Sequence, residues 1–573
     1  MGWLRKTSDD LLLKKGVTGL RWTIAADNAP GLPPSLLDDP VGFLLKNPPQ
    51  KLLKESTVRT VAIVIGPQGE FLLKRYKMRG VRERLKYLFF PSKAHKEWQV
   101  ARLAWRRGIP VPLPLAMAER RTVGVLHDAF LIIQAISPAT PLIELIPLER
   151  QGDLLLHAAR LMRDMHEAGL FHQDLHAGNI LVEKVGTEKK KLYIVDLHRA
   201  RFVRNISKKK RLWNLAQFFY SLQRWLSPEG KKAFLQQYDE QKAILRHGLE
   251  AGLREIERQE HKIYRRHMKS RTKRCLKDSG GFYVDKKNGW RIWTRRGWKT
   301  EELLAAVERH KAIVNEGREG IIKNDKRTAI SLFNYKKTRI CVKEYRYKGT
   351  LQRLKEVFRR SKARRGWLMG NGLVVRGIIG ITPDALLEKR RGGVLQKAFL
   401  IMGTPLGYVE LDRYIVNAFG AQGNDDTRRE AFLDAFADFM AHLFLHNIIH
   451  RDLKACNIMV REGGKGWDFG LVDMDDVRLD KKIRKRRLLK ELVQLHTSTP
   501  LMIDMKDRIR FLARYLQLIE TDDIRDTMKG VIKGARGRKL VYVAPEGVVI
   551  TDADWKQACR SSGAPMPVTK KKL

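Results

Sequence analysis

Apolar residues along this chain come in two periods. TVAIVIG (60–66) and EFLLKRY (70–76) are apolar runs either side of a PQG turn, a strand–turn–strand signal. HKEWQVARLAWRRG (95–108) has helical spacing and stops at Gly108 and Pro110. AFLIIQAI (129–136) returns to a continuous apolar run. QGDLLLHAARLMRDMHEAG (151–169) is helical again and closes on Gly169, and RLWNLAQFFYSLQRWL (211–226) follows as a further helix. Strands, one helix, a strand and then helices predict a small sheet lobe followed by a helical lobe.

The pattern occurs twice. SKAHKEWQVARLAWRRGIPVP from Ser92 matches SKARRGWLMGNGLVVRGIIGI from Ser361, with Trp98 opposite Trp367 and Gly108 opposite Gly377. At the same offset FLLKRY around Lys74 matches ICVKEY around Lys343, and GVLHDAFLII from Gly124 matches GVLQKAFLIM from Gly393. After a short insertion LFHQDLHAGNILV matches IIHRDLKACNIMV, and LYIVDLHRARF matches FGLVDMDDVRL. Five ordered matches exceed chance and define two homologous domains. The expected architecture is α+β: an entry segment at 1–49, a bilobal domain at 50–245, a basic helical linker at 246–318, a second bilobal domain at 319–520 and a C-terminal extension at 521–573. PGLPP and NPP read as loose structure in the entry segment, and VTKKKL as a solvated tail.

Composition narrows the partners. The 573 residues carry 112 Lys and Arg against 63 Asp and Glu, a net charge of +49. Such a field favours anionic partners: nucleic acid, an anionic membrane or a phosphorylated glycan. The linker holds a basic helix, EIERQEHKIYRRHMKSRTKR, and a Trp/Arg cluster at 290–298. No nucleic-acid motif accompanies them, so nucleic acid is not the expected partner. Cys275, Cys341, Cys456 and Cys559 form no CxxC pair, which speaks against a zinc site or disulfide framework and for a reducing compartment. No run approaches the ~20 apolar residues of a membrane span, and the first residues lack a signal-peptide core. The expectation is a cytoplasmic protein, peripheral on a membrane.

The chemistry sits in the later matches. His172-Gln173-Asp174-Leu175-His176-Ala177-Gly178-Asn179 and His450-Arg451-Asp452-Leu453-Lys454-Ala455-Cys456-Asn457 fit the H-x-D-L-x-x-x-N loop of kinases. In that chemistry one carboxylate orients the acceptor hydroxyl and takes its proton, and an amide oxygen a few residues on faces the metal on the nucleotide phosphates. Asp174 and Asp452 fit the first role, Asn179 and Asn457 the second. The histidines of the loop read as structural. A further metal carboxylate is needed at the end of the next strand, and Asp196 stands there. The second copy spells Asp468-Phe469-Gly470, the usual metal motif, yet the repeat aligns Asp473 with Asp196. Asp196 lies 17 residues after Asn179 and Asp473 lies 16 after Asn457, whereas Asp468 lies only 11 after it; Asp473 is the expected ligand.

Lys74 occupies the place of the phosphate-binding strand lysine, with Glu97 on the following helix as its ion-pair partner. Lys343 matches Lys74, but Gly366 stands where Glu97 would be. The second lysine is therefore expected to be unpaired and its site weaker, unless a carboxylate such as Glu356 substitutes. Neither copy has a glycine-rich loop; KESTVRTV and KNDKRTAI stand there instead. His176 and Lys454, inside the loops, are candidate phosphate contacts, and His198 and Arg199 either contact substrate or brace the loop.

These residues together resemble the Kdo/heptose lipopolysaccharide kinase family of Gram-negative bacteria, within the protein-kinase-like superfamily. IVDLHRARF (194–202) is the most specific string, with SKAHKEW and GIPVP beside it; HQDLHAGN is shared with aminoglycoside- and choline-kinase-like enzymes. The resemblance covers both repeats, about two thirds of the chain, and departs from the family pattern in the duplication and at Gly366. It implies ATP and Mg²⁺, a sugar hydroxyl on a lipid-linked saccharide as acceptor, and the cytoplasmic face of the inner membrane. The rival readings are a protein or small-molecule kinase and a non-catalytic pseudokinase scaffold.

Overall fold

A computed structural model describes residues 5–6, 11–26, 31–147, 152–240, 248–347 and 360–551, apart from positions 48, 68, 79, 186–188, 337, 379–380, 405–406, 421–425, 465, 522 and 545–546. Glu356, Cys559 and the VTKKKL tail lie outside the described residues. The chain divides into two compact units, 1–264 and 265–573.

In the first unit an eight-stranded antiparallel sheet runs in the order 5–6, 11–15, 21–25, 114–122, 125–134, 69–77, 59–66, 51–55. Both of its faces are covered, which is why the central strand Val125–Gln134 reads as a continuous apolar run rather than an alternating one. One face packs Phe71, Leu73 and Phe130 against Trp22 and Leu36. The other packs Tyr76, Leu126 and Leu131 against Ala94 and Trp98 of the helix Lys93–Arg106. Ser92 caps that helix by accepting from the amide of His95 at 3.0 Å. The helical lobe gathers Gly152–Glu167, Lys208–Ser221 and Pro228–Tyr238 around Met162, Phe218 and Phe234.

The second unit repeats the plan with a seven-stranded sheet, in the order 282–287, 290–295, 382–391, 394–403, 338–345, 328–335, 321–324. Thr300–Glu316 covers one face and Lys362–Val375 the other. The helical lobe is built on Asp426–Leu445, Lys485–His496, Met505–Leu518 and Ile524–Ala535.

Two segments carry more structure than their composition promises. In the entry segment, Arg21–Ala25 pairs with Pro114–Thr122, and Pro34–Asp38 and Pro40–Lys46 are helices. Of the prolines in PGLPP, Pro33 and Pro34 sit at the N-terminus of the first of these helices, where a missing N–H costs nothing. Within 246–318, Trp290–Arg295 pairs with Thr382–Arg391 and so belongs to the second sheet. Trp290 and Trp293 are core side chains, and Trp298 stacks on Tyr335, so these rings are spent on packing and not on a stacking platform for bases. Leu249–Thr272 is the expected basic helix. Part of the C-terminal extension is ordered as well: Leu540–Ala544 and Gly547–Thr551 form a hairpin, and the amide of Val543 donates to Asp412 at 2.8 Å.

Candidate active site

The strand Gly69–Lys77 alternates sides, which sends Lys74 and Tyr76 to the face covered by the helix Lys93–Arg106. That helix presents Glu97. Lys74 Nζ donates to Glu97 Oε1 at 2.6 Å, and the Tyr76 hydroxyl donates to Glu97 Oε2. The lysine and glutamate side chains are only 6% and 4% exposed. The pair inferred from sequence is thus formed and enclosed.

The loop after Leu170–His172 is braced from several sides. His172 is buried, and its Nδ1 accepts the amide of Asp174 at 3.2 Å. Its carbonyl accepts from Asn214 at 2.6 Å, and Asn214 in turn bonds His166 at 3.0 Å. This is the structural part expected of the histidine. The Asn179 amide nitrogen donates to the Asp174 carbonyl at 2.9 Å, so the amide oxygen is the atom left to face a cation. The Asp174 carboxylate is 45% exposed and held by Arg199 at 3.1 Å, and so is open to solvent. His176 is half-buried beside Gly178.

Asp196 ends the following strand. The amide of Val195 bonds the Asn179 carbonyl at 2.9 Å, tying the two metal candidates together. Asp196 sits in the left-handed region at φ 60°, and Asp473 does so at φ 49°. Such a conformation is unfavourable for a residue with a side chain, although aspartate tolerates it better than most, and the two copies share it. Burial works against the Asp196 charge, but the bond from His198 (2.7 Å), Lys74 and the guanidinium of Arg59 (3.0 Å) outweigh it and hold the carboxyl well below the usual range. Glu97, Asp196 and His198 form a tight donor cluster, their ligand atoms within 4.8 Å of one another.

Arg59 and Tyr76 were missed in the sequence. Arg59 comes from the turn that replaces a glycine-rich loop: Ser56 Oγ accepts its amide at 3.1 Å and fixes that turn. The signal was the arginine in KESTVRTV, at the start of a strand aimed at the site. In the second copy the equivalent turn is fixed by Asp325, which accepts the amides of Arg327 and Thr328 at 2.7 Å each.

The second cleft has the same backbone. Asn457 donates to the Asp452 carbonyl at 2.8 Å, and the amide of Val472 bonds the Asn457 carbonyl at 3.0 Å. Asp452 is bonded by Lys454 at 3.2 Å and Gln494 at 3.1 Å. Asp473 follows Val472 directly. Asp468 sits mid-strand across from Arg461 and pairs with it, away from this turn. The lysine overturns one expectation: Lys343 is not unpaired. It bonds Asp473 at 2.8 Å and Asp475 at 3.0 Å. Burial opposes its charge, but Tyr345, Asp473 and Asp475 hold the ammonium above its ordinary value.

A buried lysine–glutamate pair in a sheet lobe, facing an Asp/Asn loop and a strand-end aspartate, defines the protein-kinase-like class. Within it the chain belongs to the lipopolysaccharide kinase (Kdo/WaaP) family, whose model matches residues 64–238 and again 316–515. Among curated relatives, the 3-deoxy-D-manno-octulosonic acid kinase of Xanthomonas campestris pv. campestris (strain B100) is 30% identical over 129 residues, 22% of this chain and 51% of the relative. That of Xylella fastidiosa (strain M12) is 29% identical over 160 residues, 27% and 62%. The chain therefore spans about half to three fifths of the length of these relatives. A solved structure described as WaaP in complex with acyl carrier protein has a TM-score of 0.31 at 24% identity, covering 39% of this chain and 93% of that one. Among the described residues no helix is long and apolar enough to cross a membrane.

Proposed function

We propose that the protein transfers the terminal phosphoryl group of ATP to a sugar hydroxyl of a lipopolysaccharide core or similar lipid-linked saccharide, with the first cleft carrying the reaction. The observation behind this is the enclosed Lys74–Glu97 pair beside the strained Asp196 and the Asp174/Asn179 loop. The curated relatives carry the name of sugar-acid kinases, which favours a saccharide acceptor over a protein.

In this reading Lys74, fixed by Glu97 and Tyr76, holds the nucleotide phosphates. Asp174 accepts the proton of the acceptor hydroxyl and orients its oxygen for attack; Arg199 limits the swing of that carboxylate. The Asp196 carboxylate and the Asn179 amide oxygen are hard oxygen donors of the kind Mg²⁺ takes, and the ionised state of Asp196 suits them to it. The ion, when bound, would neutralise charge on the phosphate oxygens. Arg59 and His198, which now hold Asp196, would then turn to the phosphates. Lipid-linked acceptors and the +49 charge together imply peripheral attachment to an anionic membrane.

The test is transfer of labelled phosphate from ATP to purified core oligosaccharide, with mass spectrometry of the product. Asp174→Ala should reduce transfer by several orders of magnitude. Undiminished transfer by that variant, with Asp452→Ala inactive, would move the reaction to the second cleft. ATP-independent product, or none with any saccharide, would overturn the reading.

A further inference from the structure

The second copy lacks the helix glutamate, yet it does not lack the arrangement that glutamate makes. In the first copy one carboxylate receives both the lysine ammonium and the hydroxyl of the tyrosine two residues on: Lys74 and Tyr76 on Glu97. In the second copy Lys343 and Tyr345 are the matching residues, and one carboxylate again receives both. Asp475 Oδ1 accepts from Lys343 Nζ at 3.0 Å and from the Tyr345 hydroxyl at 3.2 Å. The lysine and Asp475 side chains are 10% and 15% exposed.

The carboxylate arrives from a different element. Asp475 lies on the short turn Met474–Asp476, at the position that His198 holds in the first copy. The helix Lys362–Val375 has yielded the room. A Cβ on Gly366 would stand 3.4 Å from the Tyr345 hydroxyl and 3.8 Å from the Asp475 amide nitrogen, and one on Gly370 would stand 2.2 Å from Met474 Sδ. Glycines inside a helix are unfavourable relative to alanine. The turn pressed against the helix explains Gly370, and at Gly366 the absent side chain leaves the Tyr345 hydroxyl to Asp475. The helix has lost its acid where the turn has gained one.

Asp473 also binds Lys343, but Asp473 is the expected metal ligand of this copy. We propose that Asp475 is the positioning residue for Lys343 in the second copy, so that this cleft is a built nucleotide-phosphate site and not a degenerate one. The inference rests on the kinase reading of the fold. In the first copy sheet and helix of the same lobe set the lysine. In the second, the turn that carries Asp473 sets it, and phosphate affinity is coupled to that turn instead of to the helix.

The experiment uses the full chain with Lys74→Ala and Asp196→Asn silencing the first cleft, and reads equilibrium binding of Mg²⁺ with a fluorescent ADP analogue against binding of adenosine. Asp475→Asn should weaken the ADP analogue by about tenfold or more, as loss of a charged hydrogen bond does, and leave adenosine unchanged. Adding Lys343→Ala to Asp475→Asn should cost little beyond either change alone. Gly366→Glu with Asp475→His, which rebuilds the first copy's arrangement, should restore ADP affinity; the side-chain tip of Leu400, 3.1 Å from the new Cβ, has only to shift slightly. Equal losses for ADP and adenosine would make Asp475 merely structural. An effect of Lys343→Ala with none from Asp475→Asn would also overturn the proposal, as would a second cleft that binds no nucleotide. If the chain with both clefts intact binds no nucleotide either, the kinase reading itself fails.

Discussion

Removing the charge of Glu97 perturbs the first cleft at its most enclosed point. Glu97→Gln keeps the shape but leaves the Lys74 ammonium, 6% exposed, facing a neutral amide, and leaves Tyr76 with a weaker acceptor. Breaking a buried ion pair by removing one partner costs about 3–5 kcal/mol. A domain of this size loses roughly 2–4 °C of Tm per kcal/mol, so calorimetry should show the first transition lowered by roughly 10 °C. Loss of one preorganised charge contact typically lowers kcat by about 10²–10³-fold, and transfer from ATP to the saccharide should fall accordingly. The decisive comparison is Lys74→Met with Glu97→Leu. Two apolar side chains of similar volume relieve the unpaired charge, so much of the Tm should return, while transfer stays absent because no cation meets the phosphates. If the double variant regains activity along with stability, the pair is a packing device and the phosphate role of Lys74 is refuted. Wild-type activity in Glu97→Gln would refute its positioning role.

Asp473→Asn should abolish any Mg²⁺-dependent nucleotide binding by the second cleft, whereas Asp468→Asn removes only an exposed pair with Arg461, worth about 0–1 kcal/mol; the reverse ranking in a binding titration would reinstate the DFG string. Acid should destabilise the first unit through His166, which burial pushes down to about 4. A histidine neutral in the folded state gives stability that is present above its unfolded value near 6.5 and is lost as pH falls toward 4, so His166→Gln should flatten that part of the pH–Tm curve. Binding to vesicles of anionic lipid should weaken as salt shortens screening from about 8 Å to about 3 Å; equal binding to neutral vesicles would remove charge as the cause.

The site was legible where chemistry fixes spacing. The loops at Asp174 and Asp452 follow a pattern that the proposed chemistry sets, with one carboxylate and one amide serving the same phosphate. Glu97 was legible because helix and strand are close in sequence and in space. Arg59 and Asp475 were not, because each reaches the cleft from a turn 137 or 132 residues away from the group it bonds. No periodicity reports such a contact. The strands Arg21–Ala25 and Trp290–Arg295 were missed for a related reason. They are short and flanked by charge, and become strands by pairing on both sides, with Leu11–Lys15 and Pro114–Thr122 in the first sheet and with Phe282–Lys287 and Thr382–Arg391 in the second. The Trp/Arg composition of Trp290–Arg295 suggested a surface for a partner; its tryptophans instead close a core.

The two copies separate what the fold requires from what it lets drift. Both keep the left-handed aspartate at the end of the strand, the asparagine amide on the loop carbonyl, and the backbone bond from the residue before the aspartate to the asparagine carbonyl. Those contacts set the position of the oxygen donors, and a shift of any one of them would move the loop carboxylate relative to the strand-end aspartate. The partners of these donors have been exchanged freely. Arg59 and His198 hold the first aspartate, Lys343 the second; Arg199 holds the first loop carboxylate, Lys454 and Gln494 the second. A cation is needed at each place, but its donor element is not prescribed, because a charge acts through distance and not through connectivity. The lysine anchor follows the same rule from the other side of the charge balance. An acid must stand within hydrogen-bond reach of the lysine and the tyrosine, and helix or turn will serve, provided the element that gives up the acid also gives up the volume. Gly366 meets that second condition, and for that reason a missing glutamate in one copy is weak evidence that its cleft has stopped working.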